Sequence, residues 1–104
     1  MVDDDQQAEA LFEAVAAELR DTGPRIPIAT YRVQFGPAFR FADAARLAPY
    51  LRELGVDTLY ASPFLKARAG SAHGYDVVDH GALHEAFGTP AEFDGMLEAL
   101  HANG

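Results

Sequence analysis

A strand-type pattern, a helix-type pattern and a second strand-type pattern follow one another in this chain, and their order constrains the fold more than any other feature. Residues 28–35 are rich in β-branched and aromatic side chains, which favours a strand. Residues 56–62 form a short apolar run bounded by Gly55 and Pro63, which indicates a second strand. Apolar residues at helical spacing lie between them: Ala44, Leu47, Ala48, Leu51 and Leu54. A strand, helix, strand order predicts parallel pairing and an α/β fold.

Further helices are predicted at both ends of the chain. Residues 5–21 carry an amphipathic stripe that ends before Gly23 and Pro24. The last helix begins at Thr89 and Pro90, with Glu92 placed to complete a capping box. The stripe of the first helix consists of Leu11, Phe12, Val15 and Leu19.

Two segments are harder to interpret. Pro49 lies inside the central helical pattern, and a helix that begins near residue 46 would hold it in the first turn. Residues 64–84 show no sustained period and contain several glycines, so we predict a long loop with a short extended piece at 75–79.

The size of this pattern limits what the chain can form. Two parallel strands and their helices cannot cover both faces of a sheet or pair both of its edges. A complete (β/α)8 barrel needs about 250 residues. The 104 residues therefore indicate either part of something larger or a small α/β domain that closes its edges by self-association.

Composition excludes several partners and sites. The chain has 16 acidic and 8 basic residues, a net charge of -8 that disfavours nucleic acid and anionic membranes. Cysteine is absent, which excludes disulfides and thiolate zinc sites. The acidic amino terminus does not resemble a secretory signal, and no apolar run approaches the length of a membrane span. We expect a cytoplasmic location.

The segment that follows the second strand holds the candidate binding residues. Parallel sheets bind their ligands at the carboxyl ends of the strands. Tyr75 beside His73 and Asp76 can stack on the apolar face of a sugar while polar groups hydrogen-bond its edge. The same residues also fit a surface loop with one buried tyrosine, and composition alone favours that interpretation.

Other chemistries fit this segment less well. Asp76 and Asp79 are three residues apart, which in an extended segment points them to opposite faces, so we expect structural hydrogen bonds rather than a catalytic pair. His80 and His84 have a helical metal-ligand spacing, but no helical pattern covers them, and we predict no metal site. Ser71 is one position out of register for a nucleophile elbow.

Several of these segments form two groups of motifs. The first group is residues 29–35 with 39–45, and the second is residues 60–63, 65–68, 70–71 and 73–80. Together these motifs resemble the maltooligosyltrehalose synthases of the α-amylase superfamily. The resemblance covers about residues 25–104. It implies the first quarter of a TIM (β/α)8 barrel, with strands 1 and 2 and their helices, preceded by an N-terminal helix. We accordingly expect a helical extension at 1–24 and a partial catalytic barrel at 25–104.

The resemblance also implies an activity. The family isomerises the reducing-end α-1,4 bond of a maltooligosaccharide into an α,α-1,1 bond, without a cofactor, through a carboxylate nucleophile and a carboxylic acid. Those carboxylates follow later barrel strands, so no catalytic residue is expected here and the chain alone is expected to be inactive. Tyr75 matches the tyrosine that stacks on the sugar next to the scissile bond, and Asp76, His73 and Gln34 are expected around that site.

Two alternatives to an enzyme segment of this kind remain. One is a noncatalytic glucan-binding or self-associating α/β module. The other is a fragment of a different α-amylase superfamily hydrolase.

Overall fold

The computed structural model describes residues 3–104, so the first two residues of the predicted 1–24 extension lie outside it. Helices and strands alternate through most of the chain, with one added pair of strands. The elements are α1 (Asp4–Thr22), β1 (Thr30–Val33), α2 (Phe41–Leu54), β2 (Thr58–Ala61), β3 (Leu65–Ala67), β4 (Val77–Leu83), a short 3₁₀ turn (Glu85–Phe87) and α3 (Pro90–Ala102).

β1 and β2 pair in parallel, as the strand, helix, strand order predicts. Thr30 lies opposite Thr58 and Val33 lies opposite Ala61, with no shift in register between them. α2 makes the connection from one strand to the next. This pair is one of two separate two-stranded sheets in the described residues.

The prediction of a long loop over residues 64–84 was wrong for most of its length, although the extended piece expected at 75–79 overlaps β4. β3 and β4 form an antiparallel pair in which Lys66 lies opposite Asp79 and Ala67 opposite Val77. The next pair along β3 joins Leu65 to Leu83, so residues 80–82 are left without a counterpart. That irregularity, at a segment containing Gly81, breaks the alternation by which a strand is recognised. The loop is confined to residues 68–76.

α2 runs from Phe41 and holds Pro49 in its interior, so the alternative of a helix that begins near residue 46 does not hold. Asp43 accepts the backbone N–H of Arg40 at 2.8 Å, which fixes the first turn. A proline in a helix interior costs about 3 kcal/mol. The buried face of α2 offsets this cost, because Phe41, Ala44, Ala48 and Leu51 all pack into the interior.

α3 begins as the capping motif predicts. The Glu92 N–H donates to the Thr89 hydroxyl oxygen at 3.1 Å, and the Thr89 N–H donates to the Glu92 carboxylate at 3.1 Å. Pro90 occupies the start of the helix, where a missing N–H costs nothing. Both ends of the box are thus satisfied within three residues of sequence.

The core lies between the β1–β2 pair and helices α2 and α3. Its centre is an aromatic cluster in which the Phe35 ring is 5.2 Å from Phe41 and 6.0 Å from Phe87, centroid to centroid. Phe93 extends the cluster, 5.2 Å from Phe41. Ala44 of α2 and Met96 of α3 pack in the same buried cluster as these rings.

α1 takes no part in this core. None of its residues is buried, and the stripe of large apolar side chains that the sequence analysis identified is exposed. Within residues 3–104, no helix combines the length and the apolar character that crossing a membrane requires.

Candidate functional site

The two faces of β1 and its continuation differ sharply. Val33 and Phe35 are 6% and 0% exposed and pack into the aromatic core. Arg32 and Gln34 alternate with them and are exposed on the opposite face, as a pleated strand requires. The polar face of this strand forms one wall of the candidate site.

Ser62 fixes the carboxyl end of the parallel pair. Its backbone N–H donates to the Val33 carbonyl at 3.0 Å, and its buried hydroxyl oxygen accepts the Phe35 N–H at 2.8 Å. The chain that leaves β2 is therefore attached to the residues that flank Gln34. This attachment sets where the following loop begins.

Gly74 allows the 68–76 loop to approach closely. Its φ of +80° lies in the left-handed region, and a Cβ at this position would lie 2.9 Å from the Pro63 carbonyl oxygen and 3.6 Å from the Phe87 ring. Glycine is the residue that tolerates both conditions. The close contact at Gly74 positions its neighbours His73 and Tyr75 over the polar face of β1.

Two hydrogen bonds join this loop to β1 and its continuation, and a third connects Arg32 with Gln34 on the strand side. Gln34 Nε2 donates to the His73 carbonyl at 2.9 Å. Arg32 Nη2 donates to the Tyr75 hydroxyl oxygen at 3.0 Å and to Gln34 Oε1 at 3.0 Å. The structure thus brings together Gln34, His73 and Tyr75 from two segments that are about forty residues apart in sequence.

Asp76 serves the loop from within. The Ser71 hydroxyl donates to its carboxylate, and the Ser71 oxygen in turn accepts the Gly74 N–H at 3.0 Å. The hydrogen bond from Ser71 is the main reason that the pKa of Asp76 lies below its usual value. Asp76 is therefore an ionised structural acceptor and not a proton donor near neutral pH.

His73 hydrogen-bonds to the backbone of its own loop. Its Nδ1 accepts the Tyr75 N–H at 3.0 Å. The same Nδ1 is 4.0 Å from Asp76 Oδ1, beyond hydrogen-bond length, so we assign a hydrogen-bonded turn rather than an ion pair. The His73 side chain is 59% exposed.

The weaker candidates have structural roles. Asp79 accepts the Gly81 N–H at 2.8 Å, in a different turn from Asp76. His84 is 5% exposed, and its Nδ1 accepts the Ala67 N–H at 3.3 Å. Among residues 3–104 no three His, Asp or Glu side chains converge in a way that would hold a metal ion. These observations fit the structural hydrogen bonding that the sequence analysis expects of Asp76 and Asp79.

Sequence reasoning missed two participants, Arg32 and Ser71. Arg32 carries a usable signal, because a residue two positions before Gln34 in a strand lies on the same face. Ser71 was considered only as a nucleophile, and its role depends on a turn that brings it to Asp76, five residues away. A turn of this kind is not visible in the sequence pattern.

The resulting surface combines an open aromatic ring with hydrogen-bonding groups. Tyr75 is 62% exposed, so the expectation of a buried tyrosine, which belonged to the surface-loop interpretation, does not hold. A cavity of about 570 Å³ lies at the other end of β2, lined in part by Arg25, Leu51 and Asp57, and includes none of the site residues. The site is thus a shallow surface on which a flat, partly apolar ring can stack while its edge is hydrogen-bonded.

Comparison with known proteins agrees with this arrangement. Residues 45–104 match the family model described as alpha amylase, catalytic domain. A putative maltooligosyl trehalose synthase of Mycobacterium tuberculosis is 56% identical over 57 residues, which are 50% of this chain and 8% of that protein.

Solved structures give the same result. The maltooligosyltrehalose synthase of Arthrobacter ramosus superposes with a TM-score of 0.71 at 47% identity, over 75% of this chain and 10% of that one. Another crystal structure of a maltooligosyl trehalose synthase gives 0.72 at 40% identity, over 76% of this chain and 11% of that one.

The chain therefore spans about a tenth of the length of the proteins it matches. The resemblance to maltooligosyltrehalose synthases, which the sequence motifs indicate, is confirmed by both kinds of comparison. The family model covers more than half of the chain, and the chain belongs to the α-amylase family.

Proposed function

We propose that this chain forms the first part of the barrel of a maltooligosyltrehalose synthase, with β1–α2 and β2–α3 as its first two β/α units. In this assignment residues 25–104 belong to the barrel and residues 1–24 are a helical extension. The in-register parallel pairing of β1 and β2 supports the proposal, because barrel strands pair in this way. The inserted β3–β4 pair then belongs to the loop that follows the second barrel strand.

The reaction proposed for the complete enzyme is an intramolecular glucosyl transfer. It converts the reducing-end α-1,4 bond of a maltooligosaccharide into an α,α-1,1 bond through two displacements. This chain does not supply the carboxylates for those steps. Asp76 accepts a hydrogen bond from the Ser71 hydroxyl, and Asp79 accepts one from the Gly81 N–H, so both carboxylates have structural partners.

The contribution proposed for this chain is sugar binding. The observation that carries it is the exposed Tyr75 ring, held by Arg32 beside Gln34 and the His73 carbonyl at the carboxyl end of a parallel strand. The ring stacks on one glucose unit, and His73 and Asp76 lie in the same loop as polar neighbours. Stacking at this place orients the sugar for chemistry carried out by later strands.

A graft tests this proposal. In the graft, the matching segment of the Arthrobacter ramosus synthase is replaced by this chain. We expect the graft to form trehalosyl-ended product from maltopentaose, as the parent synthase does, whereas the 104-residue chain alone forms none. A graft that melts cooperatively at the parent's temperature but forms no product would contradict the proposal, as would product from the chain alone.

A self-associating module is the second candidate. It is favoured by the exposed apolar stripe of α1, where Leu11, Phe12 and Leu19 are 66%, 68% and 64% exposed. Sedimentation velocity of the isolated chain separates the two candidates. A stable oligomer with a cooperative melt, together with an inactive graft, would favour the module over the enzyme segment.

A further inference from the structure

Arg32 makes hydrogen bonds to two site residues from a single nitrogen. Its Nη2 is 3.0 Å from the Tyr75 hydroxyl oxygen and 3.0 Å from Gln34 Oε1. A guanidinium nitrogen of this kind has one N–H for each acceptor and no lone pair to accept with. Both N–H groups of Nη2 are therefore used within the site.

This geometry determines the direction of the Tyr75 hydroxyl. Because Arg32 can only donate, the phenolic oxygen must be the acceptor in their bond. The phenolic proton then remains available to a different partner. Within residues 3–104 the structure gives this proton no acceptor, and the side chain is 62% exposed.

Arg32 fixes the orientation of Gln34 in the same way. The Oε1 atom of Gln34 accepts a hydrogen bond from Arg32, so the Nε2 atom of Gln34 is the donor. This Nε2 donates to the His73 carbonyl at 2.9 Å and to the Phe35 carbonyl at 3.2 Å. The amide thus connects the strand to the loop that carries Tyr75. Arg32 contacts Tyr75 directly and supports its loop through Gln34.

We infer that Arg32 is a positioning residue of the sugar site, which holds the Tyr75 phenol as an acceptor on the protein side and so directs its proton to a hydroxyl oxygen of the bound sugar. The inference rests on the proposed function and deepens it. Tyr75 then does more than stack, since it donates a hydrogen bond to a sugar that has an oxygen at that position. Arg32 itself acts through Tyr75 and Gln34.

A double-mutant cycle in the graft tests this role, with Arg32→Gln, Tyr75→Phe and the double variant assayed on maltopentaose. Tyr75→Phe keeps the stacking ring and removes the hydroxyl. We expect Arg32→Gln and Tyr75→Phe each to lower kcat about ten-fold, with a smaller change in KM, since both variants lose the hydrogen bond that orients the phenol. In the Tyr75→Phe background, Arg32→Gln should lower kcat less than two-fold further.

Arg52→Gln is the matched control, because it removes the same charge from the exposed last turn of α2. It should leave kcat unchanged. Equal losses from Arg32→Gln in both Tyr75 backgrounds would overturn the inference, because Arg32 would then act independently of the phenol. Unchanged kcat in Arg32→Gln at an unchanged melting temperature would overturn it as well.

The outcome for the unmodified graft separates this inference from the proposed function. An inactive but folded graft contradicts the proposed function and, with it, a role for Arg32 in sugar binding. An active graft with an additive cycle contradicts only the role of Arg32.

Discussion

The two faces of β1 show how one short strand serves packing and recognition at the same time. Val33 and Phe35 point into an aromatic cluster and are almost completely buried, whereas Arg32 and Gln34 point away from it and reach the 68–76 loop. The buried face depends on volume and shape, so its residues tolerate little change. The open face depends on donors and acceptors, so its residues affect binding more than stability.

The open face is held by hydrogen bonds rather than by burial. Arg32, Gln34 and Ser71 hydrogen-bond to neighbouring residues, so the loop is held in place although little of it is buried. Hydrogen bonds of this kind give modest stability but fixed direction. A sugar site needs the direction more than the stability.

The largest effect is expected from Phe35→Ala. Phe35 is fully buried between Phe41 and Phe87, so its removal should lower the free energy of unfolding by about 3–5 kcal/mol. Gln34→Ala, the adjacent residue on the open face, should cost only about 1 kcal/mol. Urea unfolding of the chain, followed by far-UV circular dichroism at several protein concentrations, measures both. Similar losses for the two variants would break the comparison between the faces.

A smaller effect is expected from Gly74→Ala, with Gly70→Ala as its matched control. Both glycines have a φ near +80°, but only Gly74 has a backbone oxygen at 2.9 Å from the position of an added Cβ. We expect about 1 kcal/mol of destabilisation at Gly70, from the backbone conformation alone, and about 2–3 kcal/mol at Gly74. Equal values in urea unfolding would show that the contact with Pro63 does not hold the loop.

The smallest effect concerns the start of the sheet. The Asp57 carboxylate accepts hydrogen bonds from the N–H groups of Ala29 and Ile28, each at 3.1 Å. These bonds lower the pKa of Asp57, and the bond from Ala29 has the larger effect. A lowered carboxyl pKa gives stability that is present above the pKa of the unfolded chain and is lost as the pH falls through the folded value. Asp57→Asn should therefore reduce the loss of stability below about pH 4.

Asp94→Asn is the control for this effect, since Asp94 is exposed on α3 and the described chain gives it no hydrogen-bond donor. For Asp94→Asn, the urea midpoints measured between pH 3 and pH 7 should depend on pH as they do in the unmodified chain. If Asp57→Asn shows that same dependence, the carboxylate does not stabilise the residues that lead into β1.

Much of the fold was predictable from local patterns. The parallel pair and the start of α3 depend on signals within a few residues, namely β-branched runs and a capping box. β3 and the second half of β4 were missed, because the pairing of these strands is irregular. Pro49 was misjudged because the packing of α2 outweighs the local cost of a proline.

The candidate site was predictable only in part. The motifs identified Tyr75, His73, Asp76 and Gln34, and the structure brings them together, although their roles in binding remain predictions. Arg32 could have been placed on the face of Gln34 from strand alternation, but its contact with Tyr75 and that of Ser71 with Asp76 depend on how the loop folds around Gly74.

The most direct test of the open face as a sugar site is the turnover of maltopentaose by the graft carrying Tyr75→Ala, compared with Tyr50→Ala. Both tyrosines are more than half exposed, but Tyr50 lies on α2, away from the site. We predict that Tyr75→Ala lowers kcat about 100-fold at an unchanged melting temperature, since a misplaced sugar reacts slowly, and that Tyr50→Ala changes neither. Equal turnover in the two variants would contradict the account.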